Sequence, residues 1–418
     1  MIIQRKPPRY PRRGPSCLFS LFIFFGIAVS FFVIQNAEQV REVILPTPTP
    51  EPTRSATEYA LLAELSKLDA EYAEAVDYYE QAIALDGAKA EFYIRLIDLL
   101  IRQNQADKAV EKAEQATILA PDNDRVWVSA AAAYVANGNR LSDKGDVTGA
   151  NLQYASGYSA ATRGIALNPE NADAYAYAAA GLVLQQLPDL YAQGEELADT
   201  AILLNPENPL ARYYMAIAFT LQGFYKAALE QYQLGIDSAL RKPANEEWPV
   251  GFNQASLYIG QAYNYYAEGR LPDAILSFDD ALNVDPLNAG AYDGKAHMYI
   301  QLGDAPLAEE NALESVRLNP NVARAQGRLG EAYFRSNNYL SAIPPLEKAI
   351  ELYGSATDLN ARFFNMLANA YIRNDLADCD QARPLFEEVL RKTVNPLLVE
   401  SAQAGLEECR RATLQQTP

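Results

Sequence analysis

The chain echoes itself at a nearly fixed interval. "LNPEN" stands at Leu167–Asn171 and again at Leu204–Asn208. Related segments are "IALDGA", ending at Ala88, then "ILAPDN" at 118–123, "NVDPLN" at 283–288, "RLNPNV" at 317–322 and "ELYGSA" at 351–356. Between their turn residues (Gly87, Pro121, Pro169, Pro206, Pro286, Pro320, Gly354) the spacings are 34, 48, 37, 80, 34 and 34. The irregular ones decompose as 34 plus 14, 34 plus 3, and twice 34 plus 12. A period in this range marks stacked supersecondary units, each too small to bury its apolar face alone. Such an array is quasi-one-dimensional, so a length of 418 residues does not imply several domains.

One unit can be read from "LGEAYFRSNNYLSAIPPLEKAIEL" (Leu329–Leu352). Apolar residues recur at three- and four-residue steps over Leu329–Phe334 and again over Tyr339–Leu352, with the polar break "RSNN" between them. That pattern predicts two amphipathic helices and a tight turn. Small residues (Gly330, Ala342, Ala349) stand where the helices must approach, and Tyr333, Tyr339 and Leu346 fill the space between. The Pro or Gly that follows stops the second helix. Pro344 and Pro345 fall inside a second helix and are expected to kink it or delay its start.

This pattern resembles the tetratricopeptide repeat family. The clearest matches are "YAEAVDYYEQAIAL" (72–85), "GFYKAALEQYQLGI" (223–236) and "GRLPDAILSFDDALNVDP" (269–286). The resemblance implies an all-α fold, a right-handed superhelical solenoid of about nine helix-turn-helix repeats over residues 56–396. Residues 397–418 read as a capping helix and tail, which repeat arrays need. Two departures stand out: longer helices or an extra loop around "NGNRLSDKGDVTGAN", and an insertion, "LRKPANEEWPVGFNQ" (240–254). Most of the 26 tyrosines read as core positions of the repeat.

The N-terminal 55 residues have a different composition. Residues 1–16 carry Arg5, Lys6, Arg9, Arg12 and Arg13 and no acid, and "LFSLFIFFGIAVSFFVI" (Leu18–Ile34) follows without a charge. At 1.5 Å per residue that run covers about 26 Å, against about 30 Å of hydrocarbon, a deficit that bilayer thinning could absorb. We read residues 1–16 as a cytoplasmic tail, 17–36 as a transmembrane signal-anchor and 37–55 as an extended Pro/Thr-rich linker. The positive-inside rule then leaves the N-terminus on the cytoplasmic side of a bacterial-type cell membrane and the repeats outside it. With 35 basic and 53 acidic residues, the net charge of −18 argues against nucleic acid as a partner.

No CxxC, HExxH, Walker-type loop or GxGxxG is present, and the three cysteines lack metal-ligand spacing. No enzyme, cofactor or metal is expected. The sole histidine, His297, falls on the inward face of a first helix, where a structural or peptide-contact role is expected. The resemblance implies a membrane-anchored interaction scaffold that holds a protein or peptide segment in a groove lined by the first helices. The alternatives are an import or secretion receptor with cytosol-facing repeats, or an envelope assembly factor.

Carrying the family's peptide-contacting positions onto this chain singles out Tyr213, Ile217, Tyr263 and Tyr266 in the middle repeats. In the last two it singles out Arg324, Arg328, Glu331, Arg335, Arg362, Asn365, Asn369 and Arg373. The Arg362–Asn365–Asn369 set resembles part of the carboxylate clamp of some family members, although the clamp's lysines are absent. The C-terminal groove is therefore expected to take an acidic or carboxylate-bearing segment; the competing expectation is that these arginines pair with acids on neighbouring helices. Cys379 and Cys409, each about fifteen residues from the "TVNP" turn, fall at one height on antiparallel helices. They are either a disulfide, pinning the cap, or two buried thiols.

Overall fold

A computed structural model describes residues 17–35, 54–243, 247–374 and 378–416. The chain divides into two units, 1–55 and 56–418. Helix α1 (Cys17–Gln35) belongs to the first. The second is built from nine helix pairs and a closing helix. The pairs are α2–α3 (Ala56–Leu68, Tyr72–Leu85), α4–α5 (Ala90–Arg102, Ala106–Leu119), α6–α7 (Asp124–Asp143, Val147–Leu167) and α8–α9 (Ala172–Val183, Pro188–Leu204). There follow α10–α11 (Pro209–Leu221, Tyr225–Arg241), α12–α13 (Ala255–Ala267, Leu271–Val284) and α14–α15 (Ala289–Leu302, Ala305–Leu318). The last are α16–α17 (Ala323–Arg335, Tyr339–Tyr353), α18–α19 (Ala361–Arg373, Cys379–Lys392) and the lone α20 (Pro396–Gln416). From α4 onward each even-numbered first helix packs against the next first helix, while the second helices make no comparable mutual contact. The first helices are therefore the inner layer.

Small residues set the spacing of the layers. The fourth residue of eight second helices is a buried alanine: Ala75, Ala109, Ala150, Ala228, Ala274, Ala308, Ala342 and Ala382. Glycine does the same on two facing helices. A Cβ on Gly294 would lie 2.3 Å from the Phe278 ring, and one on Gly405 would lie 2.3 Å from Phe386. Both rings are fully buried and cannot yield, so a side chain at either glycine would force the helices apart.

The repeated pentapeptide has two tasks. Its last residue caps the next first helix: the Asn208 Oδ1 accepts from the backbone N–H of Leu210 and Ala211 at 3.0 and 3.1 Å. Its amide nitrogen meanwhile donates to Asp173, at the start of the preceding first helix, at 2.7 Å. Asn171 repeats the arrangement one unit earlier, capping α8 through Ala174 and donating to Asp124 at 2.8 Å. One side chain thus starts a helix and ties it to its neighbour.

The departures from the repeat are resolved as follows. The unit containing "NGNRLSDKGDVTGAN" has lengthened helices, 20 and 21 residues in α6 and α7. Pro344 and Pro345 do not delay α17, which begins at Tyr339 with Asn338 capping Ser341. Cys379 is joined to Cys409 by a disulfide with Cα atoms 5.4 Å apart, which ties α19 to α20.

The membrane-anchor expectation is corrected. Among the described residues no helix is long and apolar enough to cross a membrane. The uncharged run covers about 26 Å, against about 30 Å of hydrocarbon. With the anchor fall the single-pass topology, the cytoplasmic N-terminus and the extracytoplasmic placement of the repeats. So do the membrane as a partner and the alternatives that depended on membrane orientation. The basic tail (1–16) and residues 36–53 of the linker lie outside the described residues.

Asn208→Ala is expected to lower stability by about 2 kcal/mol, roughly 1 for the lost cap and the rest for the half-buried Asp173 carboxylate left without its donor. Urea denaturation, with hydrogen exchange locating the weakening in α8–α11, measures it.

Candidate peptide-binding groove

The groove positions expected from the sequence lie on first helices, and apart from Arg362 their side chains are engaged within the protein. In the middle of the array Tyr213 on α10 lies against Tyr214, Tyr232 and Phe252, with ring centroids 5.1, 6.1 and 6.3 Å away. Burial pushes its hydroxyl up to about 12. Tyr263 packs edge-on against Phe278 at 5.3 Å, and Tyr266 against His297 at 5.2 Å. Ile217 is half-buried in the same core.

In the C-terminal repeats the arginines gather acids. Asp293 on α14 takes Arg324 at 2.9 Å and Arg328 at 2.6 Å. Arg324 also reaches Asp143 at the end of α6, at 2.9 Å, across 181 residues of sequence. Burial pushes the Asp293 carboxyl up, but Arg328 and Arg324 outweigh it and hold it below the ordinary carboxylate range. Arg335 pairs with Glu331 at 2.9 Å. Arg373 lies over Phe334 and Tyr339, 5.7 and 5.8 Å from the ring centroids. Asn369 donates to the Asn365 carbonyl and, with the Asn365 amide, to the Ser401 hydroxyl of α20.

Arg362 differs from these. Its guanidinium lies 4.6 Å from the Phe363 ring centroid, and among the described residues it has no ion-pair partner. Burial holds its pKa below the usual arginine value. Around it several buried polar atoms lack hydrogen bonds: the Arg362 Nε, Arg328 Nη1, Glu331 Oε2, Asn365 Oδ1 and His297 Nδ1. His297 is kept neutral, its pKa pushed down to about 3 by burial and then by Arg328 and Arg362. Such a set of donors and acceptors is costly unless something else satisfies it. Among the described residues no group of three or more His, Cys, Asp and Glu side chains is placed to hold a metal ion.

The N-terminal half of the groove contains part of the chain itself. After α11 the insertion enters the inner face, and residues 247–253 run across first helices α4, α6, α8 and α10. Glu247 pairs with Arg95 and lies 3.9 Å from Arg125. Tyr177 donates to the Val250 carbonyl. The Gly251 N–H donates to Asp98 at 2.8 Å, and Arg102 donates to the Phe252 carbonyl at 3.2 Å. None of Arg95, Asp98, Arg102 or Tyr177 is singled out by the sequence reading. Asp98 and Asp293 share a detectable signature, a lone acid amid the apolar residues of a first helix ("YIRLIDLL", "AGAYDGKAH").

Residues 69–133 and 294–357 each match a tetratricopeptide repeat model, so the chain contains tetratricopeptide repeats in both halves of the array. Over 174 residues the chain is 27% identical to the DnaJ homolog subfamily C member 7 homolog of Schizosaccharomyces pombe, covering 38% of this chain and 35% of that one. Over 88 residues it is 26% identical to Hsp70-Hsp90 organizing protein 2 of Arabidopsis thaliana, covering 21% and 15%. The chain thus spans 35% or less of these relatives' lengths. A solved structure of the human IFIT1 dimer with m7Gppp-AAAA shares the fold, with a TM-score of 0.52 at 13% identity, over 88% of this chain and 84% of that one.

Asp293 and Arg328 are 2% and 4% exposed, so removing one charge strands the other. Asp293→Asn is expected to cost about 3–5 kcal/mol at neutral pH. Because the folded-state pKa is depressed, the native carboxylate's contribution is complete above the unfolded value near 3.8 and is lost as pH falls through the folded value. The stability difference between the two proteins should therefore shrink below about pH 4, as read by denaturation at a series of pH values.

Proposed function

We propose that the chain is a protein-interaction scaffold whose inner groove holds an extended polypeptide segment, with an acidic or carboxylate-bearing portion in the C-terminal repeats. The observation that carries this reading is the unpaired guanidinium of Arg362 among unsatisfied buried polar atoms. Four cations (Arg324, Arg328, Arg335, Arg362) face three carboxylates (Asp143, Asp293, Glu331), leaving 4 − 3 = +1. One incoming carboxylate neutralises the cluster by pairing with the Arg362 guanidinium. The unbonded Arg362 Nε, Arg328 Nη1, Glu331 Oε2 and Asn365 Oδ1 are almost fully covered, so the segment reaches them only as the surrounding side chains shift. Arg328 and Asn369 contribute less freedom than Arg362, since each is already bonded within the protein. The curated relatives support the scaffold class; one of them is by name an organizer of Hsp70 and Hsp90.

The test is a titration of the full chain with a fluorescent Glu-rich decapeptide bearing a free C-terminal carboxylate. Arg362→Ala should weaken binding about tenfold or more, equivalent to about 1.4 kcal/mol, with a larger effect at low salt. A lysine-rich counterpart should not bind. Equal affinity of the native chain and the Arg362→Ala variant would remove the acidic-segment reading.

A further inference from the structure

The insertion between α11 and α12 is seated where a partner segment would be. We infer that the inner face of the N-terminal repeats is a second peptide-binding site, occupied in this structure by the chain's own residues 247–253 acting as a tethered ligand. This rests on the scaffold reading and extends it to a different part of the groove.

The manner of contact carries the inference. A connecting loop ordinarily runs over the outside of a fold, where water satisfies its backbone. This one crosses four successive first helices, and its main chain is read by their side chains. Asp98 accepts the Gly251 N–H, Tyr177 donates to the Val250 carbonyl and Arg102 donates to the Phe252 carbonyl. All three receptors lie on inner faces, and none depends on the identity of the side chain it holds. A foreign segment that makes the same turn offers the same N–H and C=O groups.

Side-chain contacts define the ligand class. Glu247 meets the Arg95 and Arg125 cations. Phe252 is 3% exposed and packs against Tyr213, 6.3 Å between centroids, and against Trp248 at 5.7 Å. Gly251 sits between them at φ +75°, where a Cβ would come 3.1 Å from the Ile101 Cδ1. The Phe252 N–H also donates to the Pro249 carbonyl at 3.0 Å, closing a turn over Pro249–Phe252, so the site selects a segment with an acidic residue, an apolar stretch, and then a tight turn at glycine followed by an aromatic. Phe252 anchors the segment in the buried core of the array, with Trp248 and Val250 packed against that core, but the rest of the segment leaves space beside it. A cavity of about 500 Å³ remains beside it, lined by Trp248, Pro249 and Val250 on one side and Val128, Asn208 and Arg241 among the residues opposite. Tethering also supports occupancy, because a short linker gives the segment an effective concentration in the millimolar range. An outside segment must compete with that, and its apparent affinity falls by the fraction of time the site is open.

The experiment uses the full chain and a labelled octapeptide with the sequence of residues 247–254, EWPVGFNQ. Trp248→Ala combined with Phe252→Ala weakens the tethered segment and leaves the receptor helices intact. Fluorescence anisotropy should show the peptide binding this variant at least tenfold more tightly than the native chain. No binding up to millimolar peptide, with native helix content by circular dichroism, overturns the inference, as does equal binding to both proteins. Should the variant lose its helix content, hydrogen exchange of residues 247–254 in the native chain decides. Millimolar unlabelled peptide should accelerate that exchange, and unchanged exchange overturns the inference. Arg362→Ala should leave octapeptide binding unaltered, so failure here and failure of the acidic-segment reading give different results.

Discussion

The distance between the two helices of each pair governs the rest of this molecule. A repeat of about 34 residues has too little apolar surface to form a core of its own, so it gains stability only when its neighbours stack closely. The buried alanines at the fourth position of the second helices permit that approach, and Phe278 and Phe386, lying over Gly294 and Gly405, show how little clearance remains. Close stacking repeated in one direction forces the first helices inward. Each inner face then has no partner except what enters the groove.

The array uses its own elements to cross that groove. The lengthened α6–α7 pair brings Asp143 to Arg324, and the insertion brings Glu247, Val250, Gly251 and Phe252 to the N-terminal first helices. Both are departures from the 34-residue period, and both place polar or charged groups against residues far away in sequence. The regular repeats build a surface, and the irregular ones decide which parts of it stay open.

The repeating architecture was legible because it is local. Turn residues, apolar steps and small residues recur at intervals that a single helix pair imposes, so the pairs and the closing helix could be read from the chain, while α6 and α7 could be read only as longer helices or an extra loop. The groove positions were legible only as positions. Whether Arg324 and Arg328 face a ligand or an acid depends on Asp293 and Asp143, which lie 31 and 181 residues away from Arg324. No periodicity conveys those pairings. The insertion was visible as a break in the period, but its destination depends on Asp98 and Tyr177 lying on inner faces. The apolar run before the repeats has the uncharged composition of a membrane span but covers only about 26 Å of the roughly 30 Å that a span needs.

Charge gives the groove its selectivity at short range. The chain as a whole is strongly acidic, at −18, so an acidic segment approaching from solution meets a repulsive surface. The inner cations cannot offset this from afar, because screening confines each charge to about 8 Å at physiological ionic strength. Long-range steering therefore contributes little to capture of such a segment. What remains is contact inside the groove, where Arg328 is buried and Arg362 half-buried, and a planar guanidinium rewards a well-placed carboxylate far more than an exposed ion pair does. An acidic exterior around a cationic interior thus admits a segment slowly and discriminates by fit, and the same surface that repels loose acidic chains also keeps the arrays themselves apart.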